Sequence, residues 1–209
     1  MRFDAAFREE LAALIGWRRD VRRFRADPLP DGAAEELLAL AQMAPSVGNS
    51  QPWRFVRLRS ADLRAALAAH ADAQAAEAGK RIAPERRAHY AGLKLHGLDS
   101  APEVMAVFCD DGTAIGGGLG AATMPEARAY SVVLSIHTLW LAARARGIAL
   151  GWVSIVDPAF VAALLDVPPG WRLIALLCLG WPEEETDVPE LERLGWQARL
   201  DWRTHVSER

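Results

Sequence analysis

Gly16-Trp17-Arg18-Arg19-Asp20-Val21-Arg22-Arg23-Phe24-Arg25 sets the terms for the whole chain. Five arginines fall within eight positions, and Asp27-Pro28-Leu29-Pro30 ends the run with prolines that a helix cannot pass through. Arginine carries a planar fork of donors that stays charged, and phosphate is the anion that best fits that fork. One carboxylate, Asp20, sits among these cations. Nearby positive charge favours its ionised form unless burial opposes it. The stretch reads as a phosphate anchor with an acidic group beside it. With equal weight, on the residues alone, it reads as a solvated basic loop or a nucleic-acid patch.

The rest of the chain narrows that choice. Its 209 residues suit one well-buried domain and are short for two. Half the residues are apolar and a quarter charged, as in a globular protein. A net charge of −3 confines the basic character to the loop and argues against general nucleic-acid binding. Cys109 and Cys178 lie far apart in apolar surroundings and read as reduced core thiols, which suits a cytoplasmic protein. The five histidines have no Cys or His neighbours at ligand spacing, so no metal is expected. The N-terminus alternates charge with alanine and lacks an apolar signal core. The longest uncharged stretch, Ala129 to Ala143, is too short to span a bilayer.

Periodicity predicts a first helix over Phe3 to Ile15, with Phe7, Leu11, Leu14 and Ile15 on one side and Gly16 as its end. Asp31 reads as the N-cap of a second helix, whose apolar side holds Leu37, Leu38, Leu40, Ala41 and Met43 and which Pro45 stops. Ala44 to Trp53 combines small, turn-forming and hydrogen-bonding residues and leads into a strand over Arg54 to Arg59. Ala61 to Leu98 reads as mostly helical, with breaks near Gly79 and Pro84. Its polar middle, Arg81 and Glu85 to Arg87, suits an exposed excursion or lid. Glu103 to Cys109 reads as a buried strand. Asp111 to Gly120 holds five glycines but no phosphate-loop lysine and no G-x-G-x-x-G, so it reads as a flexible loop. Thr123-Met124-Pro125-Glu126 fits a capping box that opens a helix running to about Arg146. That helix is uncharged on nearly all sides, so it needs cover from a second subunit or from one large core. Strands over Ile148 to Ile155 and Arg172 to Trp181 flank a short helix from Asp157 to Leu165. The tail carries Trp196, Arg199, Trp202 and Arg203 and reads as packed rather than free. Uneven alternation of helices and strands predicts an α+β fold in a single domain over residues 1–209.

Three of these pieces together resemble the FMN-binding nitroreductase family. They are the arginine loop, Ala44-Pro45-Ser46…Gln51-Pro52-Trp53 and Gly151-Trp152-Val153-Ser154. Four motifs narrow the likeness to the flavin-fragmenting 5,6-dimethylbenzimidazole synthases within it. These are Arg18-Arg19-Asp20-Val21-Arg22, Thr123-Met124-Pro125-Glu126…Tyr130-Ser131-Val132-Val133, Gly151-Trp152-Val153-Ser154-Ile155, and Gly180-Trp181-Pro182 followed by Pro189-Glu190-Leu191-Glu192. The likeness runs from about Phe7 to Arg199. Asn49 looks more like a general nitroreductase, where that asparagine can touch FMN.

The resemblance implies a nitroreductase-like fold, with a central, mostly antiparallel sheet flanked by helices. It implies a homodimer with shared active sites and the tail 182–209 packed on the dimer. The implied activity is that of an oxidoreductase. Reduced FMN and O2 react, and the flavin is fragmented to 5,6-dimethylbenzimidazole, the lower ligand of cobalamin, and erythrose 4-phosphate. The flavin is then a substrate, supplied by a separate flavin reductase. The alternative on the same fold is an FMN-dependent NAD(P)H nitroreductase or flavin reductase. The family's catalytic aspartate and serine map onto Asp20 and Ser154. Its FMN contacts map onto Arg18, Arg19, Asp20, Val21, Arg22, Ser46, Ser154 and Arg199. A positioned acid/base suits Asp20, and a hydroxyl that both donates and accepts suits Ser154. Segments 79–98 and 111–120 are lid candidates, since excluding water protects such chemistry.

Overall fold

In a computed structural model, which describes residues 2–209, four strands form one sheet. They are β1 (Trp53–Arg57), β2 (Glu103–Asp110), β3 (Ala149–Val153) and β4 (Trp171–Gly180). Their order is β1-β2-β4-β3, and every neighbouring pair is antiparallel. The strand β2 has helices on both faces, which explains its unbroken apolar run. Met105, Val107 and Cys109 pack with α2 (Ala33–Ala41) and α5 (Ala127–Arg144). Val104, Ala106 and Phe108 pack with α3 (Ala61–Lys80) and α6 (Pro158–Leu164) on the other face. The fold is α+β in three layers, as expected.

Several element ends differ from the expectation. The helix α1 (Ala5–Trp17) passes through Gly16 and stops where Arg18 turns extended. Asp4 caps it, accepting from the Phe7 amide at 2.9 Å. Phe7, Leu11 and Ile15 form the expected stripe, but the stripe is exposed. The cap of α2 is Gly32, not Asp31, because the chain enters at φ 78°, a conformation glycine adopts without strain. Thr123 does not cap α5. Its hydroxyl donates to the Gly120 carbonyl within a run of tight turns, so the helix starts at Ala127 and ends at Arg144.

The arginine loop lies along β3, an edge strand of the sheet. The Val21 amide donates to the Leu150 carbonyl at 3.1 Å and the Arg25 amide to the Trp181 carbonyl at 2.9 Å. Phe24 is buried between these two anchors. Close approach at β3 demands Gly151, since a Cβ there would sit 2.0 Å from the Val21 carbonyl oxygen. The loop therefore takes its position from the sheet rather than from its own residues.

Candidate active site

Two sequence motifs meet at Asp20. One carboxylate oxygen accepts from the Trp152 amide of β3 at 2.8 Å, and the other lies 2.5 Å from the Arg22 guanidinium. Ser154 stands two residues beyond Trp152, just past the end of β3, and is exposed. Burial pushes the Asp20 carboxyl above its ordinary range. Arg22, the Trp152 amide and Arg18 oppose that push, and Glu190 adds to it. The cation cluster alone favoured ionisation; here burial outweighs it.

Arg22 is shared. Its other terminal nitrogen lies 3.1 Å from Glu190, on the short helix α7 (Glu190–Arg193), and Glu190 also pairs with Arg23 at 2.5 Å. The Arg18 guanidinium stacks 4.8 Å from the centre of the Trp140 ring, and the Trp140 indole donates to the Arg19 carbonyl at 3.2 Å. The Nε groups of Arg18 and Arg19 are buried without a hydrogen-bond partner. Burial and the charge of Arg199 lower the proton affinity of both, and Arg18 adds to this at Arg19. Buried donors without acceptors cost about 1–3 kcal/mol each. Arg18 and Arg19 are thus partly desolvated and repelled by the exposed Arg199, a strain that an anion would relieve, so the donor set fits the phosphate of FMN.

The chain thus brings Arg18, Arg19, Asp20, Val21 and Arg22 together along β3, with Ser154 adjoining and the charge of Arg199 in range. Ser46 is held elsewhere. Its hydroxyl accepts from the Gln51 amide at 3.0 Å, in a turn where Asn49 and Gln51 both adopt positive φ. That turn hangs on α5, because the Val47 amide donates to Ser131 Oγ at 3.0 Å. The cleft at the arginine loop measures about 70 Å³, which suits a few waters, whereas small-molecule sites run to roughly 300–1,000 Å³.

Segment 79–98 contains α4 (Arg87–Ala91) and is gripped by the tail. The Arg86 guanidinium lies 3.8 Å from the Trp196 ring centre and donates to the Trp196 carbonyl at 2.7 Å. A cavity of about 790 Å³ separates this segment from α3 and contains none of the arginine-loop residues. Segment 111–120 packs on the Ser46 turn so closely that a Cβ on Gly116 would overlap the Gly48 carbonyl. Sequence reasoning gave no role to Trp140, Glu190 or the Trp152 amide. The Pro189-Glu190-Leu191-Glu192 motif was the one signal that pointed to Glu190.

A family model described as the nitroreductase family matches residues 15–181, and the chain belongs to that family. Within it, the chain is 57% identical over 197 residues to the 5,6-dimethylbenzimidazole synthase of Rhodospirillum rubrum, covering 94% of this chain and 93% of the relative. It is 48% identical over 200 residues to a 5,6-dimethylbenzimidazole synthase of Rhodobacter capsulatus, covering 96% and 97%. The fold is similar to that of iodotyrosine deiodinase in a crystal structure bound to FMN and 3-iodo-L-tyrosine. The TM-score is 0.71 at 24% identity, covering 84% of this chain and 91% of that one.

Proposed function

We propose that this protein acts as a 5,6-dimethylbenzimidazole synthase, fragmenting reduced FMN with O2 to 5,6-dimethylbenzimidazole and erythrose 4-phosphate. The observation that carries this reading is Asp20, seated on the Trp152 amide of the Gly-Trp-Val-Ser strand beside two half-buried arginines whose Nε donors are buried and free. FMN supplies the isoalloxazine ring that is oxidised and broken. Arg18 and Arg19, with Arg199, hold its phosphate. The Trp140 ring braces Arg18 from behind. Asp20 takes up and returns protons at the ring, and burial brings its proton affinity closer to working pH, where an acid/base is most effective. Ser154 supplies a hydroxyl to relay a proton near the flavin N5 region.

The small cleft supports a site completed by a second copy of the chain. Ser46 then reaches the ribityl end from the partner subunit. A separate reductase delivers reduced FMN, and the protein works in the cytoplasm as one domain. Among the described residues no helix is long and apolar enough to cross a membrane, and no acidic, histidine or cysteine cluster could hold a metal.

Aerobic incubation with excess reduced FMN, followed by chromatography with mass detection, tests the reading. The expected result is 5,6-dimethylbenzimidazole with flavin consumed. Reoxidised, intact FMN with peroxide release would replace it with a cycling flavin reductase.

A further inference from the structure

We propose that Glu190 is a positioning residue for Asp20, acting through the Arg22 guanidinium that the two carboxylates share. The inference rests on the synthase reading and assigns a task to the C-terminal segment, which lies 168 positions from Arg22 in sequence.

Arg22 is 13% exposed, so water screens its charge little. Its fork is divided, with Nη2 on Asp20 and Nη1 on Glu190. The second oxygen of Glu190 is taken by Arg23, which leaves Glu190 at 16% exposure with both oxygens engaged. Four charges, two of each sign, thus close into a chain from Asp20 through Arg22 and Glu190 to Arg23. The division matters because a guanidinium prefers to meet a carboxylate with two parallel bonds. Were Glu190 absent, Arg22 would be free to swing onto Asp20 with both nitrogens. That pair would hold Asp20 permanently ionised and turned toward Arg22, a poor state for a group that must exchange protons. Glu190 draws one arm away, leaving Asp20 one contact to Arg22 and one to the Trp152 amide. The charged groups facing Asp20 are Arg18 and Arg22 from its own loop and Glu190 from α7, with the Trp152 amide from β3. Glu190 is the one negative charge among them.

The test follows the Asp20 carboxyl by carbon NMR against pH in the full-length protein without flavin, with Asp20→Asn assigning the signal. Glu190→Gln keeps the shape and removes the charge, and the Asp20 midpoint is expected to fall by roughly one pH unit or more. The pH limb of benzimidazole formation that Asp20 governs moves the same way. Glu190→Asp, one methylene shorter with its charge kept, shifts the midpoint less. Glu192→Gln, on the same helix, leaves it in place. An Asp20 midpoint unchanged in Glu190→Gln, or displaced equally by Glu192→Gln, overturns the proposal. A midpoint that moves in a protein making no benzimidazole supports the Asp20–Arg22–Glu190 link while removing the synthase reading.

Discussion

At the scale of single residues, the chemistry and the stability of this protein pull in opposite directions. Asp20 has its proton affinity raised by burial, so the folded protein binds that proton more tightly than the unfolded chain does. Stability from this group is therefore present at low pH and is lost as pH rises from the ordinary aspartate value of 3.8 through the raised folded midpoint. Asp20→Asn should remove this slope, which melting curves of both proteins across that window would reveal. The same substitution should keep FMN binding and abolish benzimidazole formation; unchanged product yield would take Asp20 out of the chemistry. Arg19 makes the complementary case. It is desolvated and repelled by Arg199 and Arg18. Arg19→Gln should leave the melting temperature unchanged or higher, yet raise the FMN dissociation constant by about 10–100-fold, the loss of one charge-assisted contact. An unaltered dissociation constant by titration calorimetry would place the phosphate elsewhere.

At the scale of elements, the arginine loop depends on a strand far from it in sequence. Gly151 lets the loop backbone close on β3, and the Trp152 amide next to it receives Asp20. Gly151→Ala should push Val21 off the strand and take Asp20 with it, lowering the melting temperature and the product yield together. Full activity in that variant would show that the loop needs no such docking. This dependence also marks what could be read from sequence. The sheet strands were legible because β2 and β4 are buried on both faces and so write continuous apolar runs. Asp20 was legible because its cations are its sequence neighbours. The starts of α2 and α5 were not, because Gly32 and the turns before Ala127 cap by backbone geometry rather than by a side chain, whereas Asp157 was legible as the cap of α6. Glu190 was also hidden, since its partners Arg22 and Arg23 come from the other end of the chain.

At the scale of the whole molecule, α5 supports both the Ser46 turn and the arginine loop. Its inner face, Val132, Ile136 and Leu139, is fully buried, while Tyr130, Val133 and Leu134 are exposed. Phe7, Leu11, Ile15 and Trp17 of α1, with Phe3 just before it, are exposed apolar side chains as well. The N-terminal part of α5 carries the Ser46 turn through Ser131, and its C-terminal part carries the arginine loop through Trp140. Ser131 and Trp140 lie nine residues apart, or roughly 14 Å along a helix. One chain therefore keeps Ser46 and Arg19 on separate stretches of one helix. A two-fold axis across α5 would pair the two copies antiparallel and set the Ser46 turn of each beside the arginine loop of the other. Subunit mixing tests this arrangement. Asp20→Asn chains and Ser46→Glu chains should each be inactive alone, the second because a carboxylate would face the flavin phosphate. Mixed and reassembled, the hybrid dimer has one site carrying both changes and one carrying neither. Equal mixing should then restore roughly a quarter of wild-type benzimidazole formation, since half the dimers are hybrids with one intact site each. If Ser46 served the site of its own chain, every site in the hybrid would keep one change, and mixing would restore nothing.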